Sequence, residues 1–384
     1  MKKKILLVTP GTFHYFDLAK ALIKKKQLYK IISGYPRFKL KKYNLSKNYL
    51  VTTGFSQTIF QILKKLRINL FNSLETTVQL LTFINLDKLS KKYTKHSNVL
   101  LSLSGCSVDS GKFFKNKNKI YICERSSSHI LFANKILKEE YKKYKINFSI
   151  DKRIIKRELI EYKNADFVLV PSKFVEKTFS DYNFYNTKVL SFPSNNKIFK
   201  INNQNKNRFF EYKLKIVFVG TLSLRKGLPY LLDAFNNLKF KNKELHLVGQ
   251  KTNDFNLFKH KINYENTIIH GHLSQQNINK LFNKCQLFVL PSLEEGAAIV
   301  VAQAMSTGLP VVVSKNTGWS DIVSKNKNGL TVNARDSKNL SKKINFLNQN
   351  RHLLKIFSKN CLKYSQNQSW DKYVDQLNEL IRKI

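Results

Sequence analysis

The stretch PSLEEGAAIVVAQAMSTGLPVVV, residues 291–313, follows an apolar run from Leu287 to Leu290. The run reads as a buried strand that stops at Pro291-Ser292 and opens a loop presenting Glu294, Glu295 and Gly296. Small apolar residues from Ala297 to Met305 suit a buried helix, Gly308 ends it, and Pro310 leads into a second strand, Val311 to Val313. This is one β-α-β unit, and it predicts an open parallel sheet. In such sheets ligands sit at the carboxyl ends of the strands, against helix starts whose unpaired N–H groups favour anions. A carboxylate there is better suited to hydroxyls than to the anion itself. A hydroxyl-rich group beside a phosphate describes a nucleotide sugar.

The same pattern recurs upstream. Lys215 to Val219 is a strand closed by Gly220-Thr221, and Arg225-Lys226-Gly227 precedes a helix from Leu228 to Leu238. Two cations at such a junction make a diphosphate site, with Arg offering a planar fork of donors and Lys a compact charge. Further strands at Leu245–Gly249 and Ile268–Gly271 end at Gly249-Gln250 and His270-Gly271-His272, where backbone groups would cradle a base and ribose. Gly220, Gly296 and Ala297 lie in the same set of loops.

The amino half repeats the alternation. Lys3 to Thr9 is a strand, Pro10-Gly11-Thr12 a turn, and Phe13 to Lys26 a helix, with another strand starting near Tyr29. Gly11 serves either a plain tight turn or the close approach of a ligand. From Gly54 to Tyr93 the period is helical, with Ile59, Leu63, Leu66, Leu70, Leu74, Val78, Leu81 and Leu89 on one stripe interrupted by Lys64, Lys65 and Arg67. That stripe fits a basic amphipathic face resting on anionic lipid, and equally two helices packed on the sheet. Strands follow at Val99–Ser104 and Ile120–Cys123. The loop Glu124-Arg125-Ser126-Ser127-Ser128-His129 then leads into a helix from Ile130 to Tyr144; the serines are natural caps, yet a cap needs one such residue, not Arg, three Ser and His together. Arg157, Glu158 and Glu161 read as structural residues on the helix before the strand Phe167–Val170.

Residues 193–213, rich in Asn and Lys, mark a boundary. The expected layout is an acceptor-side domain over 1–195, a linker over 196–213, a nucleotide-sugar domain over 214–365, and a terminal helix over 366–384 that starts at Trp370 and crosses back to the first domain. A length of 384 residues suits two such domains, and 42 % hydrophobic residues suffices for their cores. No apolar run approaches the roughly 20 residues that span a bilayer. The expectation is a cytoplasmic protein, peripheral at most on the inner face of the membrane. Cys106, Cys123, Cys285 and Cys361 are far apart and form neither a disulfide framework nor a zinc motif. Residues 1–200 carry 40 basic and 13 acidic residues against 28 and 12 in the remainder, so the net +43 leans to the amino half. That charge suits a polyanionic partner, but Lys, Asn and Ile are abundant together, as in proteins of A·T-rich genomes, and solvated surface explains it as well. No motif interleaves Arg with aromatics, so no specific nucleic acid is expected.

The 291–313 stretch resembles the signature of the retaining glycosyltransferases of family 4, PS-x-x-EG opening a Glu-x7-Glu motif that runs into EAMA-x-G-x-P-VV. Glu295 stands at the first Glu, and Gln303 at the second. The resemblance implies a GT-B fold, two Rossmann-like doubly wound parallel-sheet domains facing a cleft. It implies that Glu295 contacts the donor sugar, that Gln303 holds the ribose without a charge, and that Arg225 and Lys226 hold the diphosphate. It also places His129 against the donor sugar from the first domain and Gly11 near the acceptor. The activity implied is transfer of a sugar, with retention, from a nucleotide-diphosphate sugar to a hydroxyl of a glycan or lipid-linked acceptor in cell-envelope polysaccharide synthesis. No cofactor is implied, and no Asp-x-Asp motif is present to hold a metal. Two other readings stay open: a catalytically weak nucleotide-binding partner protein, suggested by Gln303, and a polyanion-binding protein, suggested by the charge.

Overall fold

The computed structural model describes residues 3–54, 58–59, 62, 72–193, 198–202 and 208–384. Its chain forms two parallel sheets. The first carries β1 (Ile5–Thr9), β2 (Leu28–Ser33), β3 (Leu50–Thr52), β4 (Val99–Leu103), β5 (Ile120–Glu124), β6 (Phe167–Val170) and β7 (Thr187–Val189) in the order β3-β2-β1-β4-β5-β6-β7. The second carries β8 (Leu214–Val219), β9 (Lys243–Val248), β10 (Thr267–Gly271), β11 (Leu287–Leu290), β12 (Val311–Ser314) and β13 (Gly329–Val332) in the order β10-β9-β8-β11-β12-β13. Every pairing between them is parallel, which explains why β1, β4, β8, β11 and β12 are nearly unbroken apolar runs: helices cover both faces, so alternation would bury polar side chains. The architecture is the two-domain, Rossmann-like arrangement expected from the sequence.

The strand orders fix where ligands can go. In each sheet the order reverses beside the first strand, between β1 and β4 and between β8 and β11. The loops leaving these neighbours diverge to opposite faces and open a crevice at their carboxyl ends. In the second sheet those loops contain Gly220–Gly227 and Pro291–Ala298; in the first they contain Pro10–His14 and Ser104–Ser107.

The helical stripe of the amino half resolves in part. A helix spans Asn72–Lys91, while Leu63, Leu66, Leu70, Lys64, Lys65 and Arg67 lie outside the described residues. The buried face of this helix is Thr82, Phe83, Leu86, Asp87 and Ser90, and Leu81 of the stripe is exposed. The stripe misled because Asp87 is a core residue. Its carboxylate accepts the Asp109 and Ser110 amides at 3.0 and 2.8 Å and pairs with Arg157 at 2.5 Å, so the helix is held inward by polar contacts that periodicity does not count.

Between the sheets, Phe199 is buried and Arg208 donates to the carbonyls of Phe282, Thr307 and Gly308 at 2.9–3.1 Å, so the described connecting residues are bound to the second domain. A final helix, Trp370–Arg382, is capped by Ser369 and packs its Tyr373, Val374, Leu377 and Ile381 face inward. It lies on the helix Tyr15–Lys24 of the first domain, with Lys24–Asp371 and Lys25–Asp375 ion pairs and a reciprocal Gln27–Asn378 amide pair at 2.9 and 3.0 Å.

Candidate active site

Gly227 explains why the two loops at the second switch point touch. It sits at φ +68°, a conformation that disfavours side chains, and a Cβ there would lie 1.9 Å from the Pro291 carbonyl oxygen. Leu293 N–H donates to the Arg225 carbonyl at 2.9 Å, and Asp254 accepts the Leu224 amide at 2.8 Å. The backbone on either side of the Arg-Lys pair is therefore fixed. Gly220, Gly249 and Gly271, at the ends of β8, β9 and β10, stack in the same way: Gly249 N–H donates to the Gly271 carbonyl at 2.7 Å, and a Cβ on Gly249 would meet the Gly220 carbonyl at 1.8 Å.

On this frame four charged side chains meet. Arg225 Nε donates to Glu294 Oε1 at 2.5 Å and Arg225 Nη1 lies 3.5 Å from Glu295 Oε2; Lys226 Nζ also pairs with Glu295. Glu294 and Glu295 are nearly buried, 1 % and 8 % exposed. Burial alone would raise the Glu294 carboxyl, but Arg225 and the hydroxyls of Ser128 and Ser127 outweigh it and hold it at about 2. Burial likewise depresses Arg225, and Glu294 and Glu295 reverse that and raise it; for Lys226 burial wins and its pKa falls. Two cations against two carboxylates leave the cluster electrically balanced.

The cluster is closed by the first domain. Ser127 Oγ and Ser128 Oγ donate to Glu294 Oε2 at 2.7 and 2.6 Å, and Arg225 Nη2 reaches Ser127 Oγ at 3.3 Å. The serines read from sequence as helix caps are instead contacts across the cleft. Gly296 is wedged there too: its carbonyl accepts Ser172 Oγ at 3.2 Å, and a Cβ on it would lie 1.9 Å from the Ser126 carbonyl oxygen. Behind Ser126, Glu124 accepts its hydroxyl at 2.7 Å and pairs with His14 Nε2 at 2.9 Å. On another side of the interface the buried Glu140 receives Arg335 at 2.9 Å and the Tyr230 hydroxyl at 2.7 Å, and Tyr141 donates to Asp254 at 3.0 Å. The domains are drawn together by these pairs.

His129 takes a different place from the one the resemblance implied. Its Nδ1 accepts the Leu131 amide at 3.3 Å, so it, not a serine, caps the helix Ile130–Lys142. Its ring is enclosed by Tyr162, Phe179 and Tyr182 inside the first domain, and burial, with Arg125 adding, lowers its pKa to about 4. A neutral, enclosed imidazole holds the loop's exit rather than facing the carboxylates. Gln303 is half-buried on the helix Ile299–Ser306, and Ala297 is buried just before that helix. His270 stands at the sheet edge with Nε2 at 2.9 Å from His246 Nδ1, and the other ring nitrogen of His246, Nε2, lies 2.8 Å from Glu244 Oε1. Gly11 is buried in the β1 loop, where Ser33 Oγ donates to its carbonyl at 3.1 Å. Among the described residues no three His, Cys, Asp or Glu side chains are grouped to hold a metal, and no helix is long and apolar enough to cross a membrane.

Five residues of this arrangement had no site role in the sequence pattern: Glu294, Ser127, Ser128, His14 and Glu124. Glu294, adjacent to Glu295 at a strand end, and the run of three serines after Arg125 carried a local signal; His14 carried none.

Residues 199–364 match the family model described as glycosyl transferases group 1. An uncharacterized glycosyltransferase of Methanocaldococcus jannaschii is 28 % identical over 217 residues, 55 % of this chain and 58 % of that one. The N,N'-diacetylbacillosaminyl-diphospho-undecaprenol alpha-1,3-N-acetylgalactosaminyltransferase of Campylobacter jejuni is 27 % identical over 184 residues, 47 % of this chain and 48 % of that one. The aligned stretches thus span about half the length of these relatives. Over the whole chain the fold superposes on sucrose-phosphate synthase from Thermosynechococcus elongatus with TM-score 0.74 at 17 % identity, covering 100 % and 99 % of the two chains. It superposes on Anabaena HepE in complex with UDP and glucose with TM-score 0.71 at 14 % identity, covering 100 % of both. The chain has the GT-B fold of these structural neighbours, and its residues 199–364 match the glycosyl transferases group 1 model.

Proposed function

We propose that the protein is a retaining glycosyltransferase of family 4 that takes a sugar from a nucleotide-diphosphate donor to a hydroxyl of a glycan or lipid-linked acceptor. The observation that carries this reading is the Arg225–Lys226 pair facing Glu295 at the β8/β11 switch point. A diphosphate entering there draws the two cations from their carboxylates. Glu295 is then left to accept hydroxyls of the donor sugar, while Gln303 takes the ribose. As the glycosidic bond breaks, charge grows on the diphosphate, and each well-placed donor lowers that barrier by roughly 3 to 4 kcal/mol. A leaving-group oxygen takes the acceptor's proton on the face the donor leaves, which retains configuration.

We place this transfer in cell-envelope polysaccharide synthesis at the inner face of the membrane; the lipid-linked acceptor has the support of the Campylobacter relative's name, which specifies a diphospho-undecaprenol acceptor. The basic amino half suits such a surface. A catalytically weak, nucleotide-binding partner protein is the second reading, and the uncharged Gln303 favours it.

Thermal shift with UDP, GDP, ADP, CMP and dTDP tests the donor site, since a ligand at about a hundred times its dissociation constant adds roughly 2.7 kcal/mol of stability. UDP comes first because a structural neighbour holds it. The expected result is a shift with one nucleotide that is lost in a triple Arg225→Ala, Lys226→Ala, Glu295→Ala variant. No shift with any of them overturns the reading. Transfer that survives Arg225→Ala with Lys226→Ala within a few-fold of wild type overturns the mechanism.

A further inference from the structure

The chain crosses between its two domains twice, through residues 190–193 on leaving the first sheet and through residues 367–369 on returning to the terminal helix. Two adjoining cavities, of about 550 and 230 Å³, open beside these crossings and share Ser191, Gln368 and Gln376. Together they have the size of a small-molecule site, which runs roughly from 300 to 1,000 Å³. None of Arg225, Lys226, Glu294 and Glu295 lines them, so the donor reading leaves them unused.

The terminal helix shows how this space is bordered. Asp371, Asp375 and Asn378 pair with Lys24, Lys25 and Gln27 of the first domain, while Tyr373, Val374, Leu377 and Ile381 are buried. Gln376, Glu379 and Leu380 make a third stripe and line the larger cavity. The polar residues of the first stripe are all partnered. In the third, the side chains of Gln376 and Glu379 make no hydrogen bond or ion pair among the described residues, and the same holds for the Gln368 amide, the Lys325 ammonium and the Tyr364 hydroxyl around the cavity.

These groups select a ligand by their kind. Each glutamine offers two donors and an acceptor, and Ser191 Oγ, donating to the Pro171 carbonyl at 3.1 Å, keeps its lone pairs to accept. Burial raises the Tyr364 phenol to about 12, so it enters as a neutral donor. Lys325 and Glu379 balance in charge, and Lys372 is occupied by the Asn367 carbonyl at 3.0 Å. No arginine is among the described lining residues, so a phosphate finds no fork of donors. Leu190, Ile322 and Leu380 add apolar patches. The complement is a neutral molecule with many hydroxyls, each both donor and acceptor, and faces of C–H groups: a saccharide.

The cavity wall also touches the donor loop. Tyr364 packs edge-on against Trp319 at 6.4 Å, and Trp319 Nε1 donates to the Ala298 carbonyl at 2.8 Å, two residues past Gly296. We propose that the two crossings form a second binding site, for a short neutral saccharide, whose occupant splints the crossings and steadies the 291–298 loop through Tyr364 and Trp319. The site stands on its own lining and does not rest on the transferase reading.

The test titrates the full chain with maltose, cellobiose, lactose and chitobiose and follows its intrinsic fluorescence. The chain has two tryptophans, and both border the site: Trp319 against Tyr364, and Trp370 at 5.2 Å from Tyr373 of the smaller cavity. Wild type is expected to bind at least one of these disaccharides. Gln368→Ala with Gln376→Ala weakens that binding about ten-fold through lost amide hydrogen bonds. Because neither amide has a partner within the described chain, this variant keeps the wild-type Tm, which reports that it is folded. Gln376→Phe, which fills the cavity from an exposed helix position, loses binding as well. Glu379→Gln stays within about two-fold of wild type, as a neutral ligand requires. Hydrogen exchange in peptides covering residues 291–298 slows in the complex. Absence of binding by all four disaccharides overturns the site, as does a glutamine double variant that binds like wild type, the result expected of a sugar held in the cleft instead. A larger loss in Glu379→Gln overturns the neutral class of ligand, and unchanged exchange at 291–298 overturns the splint.

Discussion

Replacing Glu294 by Gln removes one charge from the domain interface and little else. The amide keeps the size of the side chain and can still accept from Ser127 and Ser128, which now lie 2.7 and 2.6 Å away. What disappears is the attraction to Arg225 at 2.5 Å. The folded protein holds this carboxyl at about 2 against an ordinary 4.5. Because the folded value is the lower one, the stabilisation is present above about pH 4.5 and fades as pH falls toward 2. At neutral pH it amounts to about 3 kcal/mol, from roughly 1.4 kcal/mol per pKa unit. A similar cost is expected from leaving Arg225 with only the more distant Glu295. With an unfolding entropy of about 2.1 cal/mol/K per residue, a chain of 384 residues unfolding as one unit has about 0.8 kcal/mol/K. Glu294→Gln should therefore lower Tm by about 4 °C in calorimetry at pH 7, and the difference from wild type should shrink below pH 4.5. Nucleotide diphosphate should bind the variant more tightly, since it no longer competes with Glu294 for Arg225. A Tm within 1 °C of wild type at pH 7 would refute the reasoning, as would weaker nucleotide binding.

Gly296→Ala places a methyl group against the Ser126 carbonyl, with backbone on both sides and nothing flexible to yield; the domains should part, raising the radius of gyration in small-angle scattering, and an unchanged radius with unchanged Tm would contradict the wedge. The enclosed His129 titrates near 4 when folded and near 6.5 when unfolded, so the protein loses stability as pH falls from 6.5 toward 4, by about 3 kcal/mol in all. Urea unfolding at pH 7 and pH 4.5 should show that loss in wild type and a smaller one in His129→Phe; equal losses would assign it elsewhere. Gln303→Glu exchanges a neutral acceptor for a charged one, a gain of about 1 kcal/mol or about five-fold in UDP affinity by calorimetry. No gain would separate position 303 from the ribose.

The second domain was readable because its part of the candidate site sits in short, local patterns. A strand, a glycine, two cations and a helix follow one another at 214–238, and a strand, two carboxylates and a glycine at 287–296, so sequence spacing alone brings them to one sheet edge. The first domain offered less, because its contributions are tertiary. Ser127 and Ser128 look like caps in any window of sequence, and nothing within that window says that Glu294 lies opposite. His129 caps the helix through Nδ1, a role in which serine is the stronger expectation, and its aromatic surroundings come from the helices at 152–164 and 173–180. Asp87 hid a helix's inward face for the same reason: its partners Asp109, Ser110 and Arg157 are more than 20 residues away in sequence. Phe13 was assigned to the helix, where an apolar residue needs no comment. Only its positive φ and exposed ring separate it from the core.

The helix Trp370–Arg382 rests on residues 15–27, so the surface completing the first domain is supplied by residues translated after the whole second domain. A ribosome that has released residues 1–193 leaves the apolar side of the helix Tyr15–Lys24 waiting for Tyr373, Val374, Leu377 and Ile381. At about 5 to 20 residues per second that wait lasts on the order of ten seconds or more. During it, the nascent first domain carries an uncovered sticky face and is a natural client for a chaperone. A premature stop before position 370 makes that state permanent, with every loop of the candidate site present and the product still prone to aggregate.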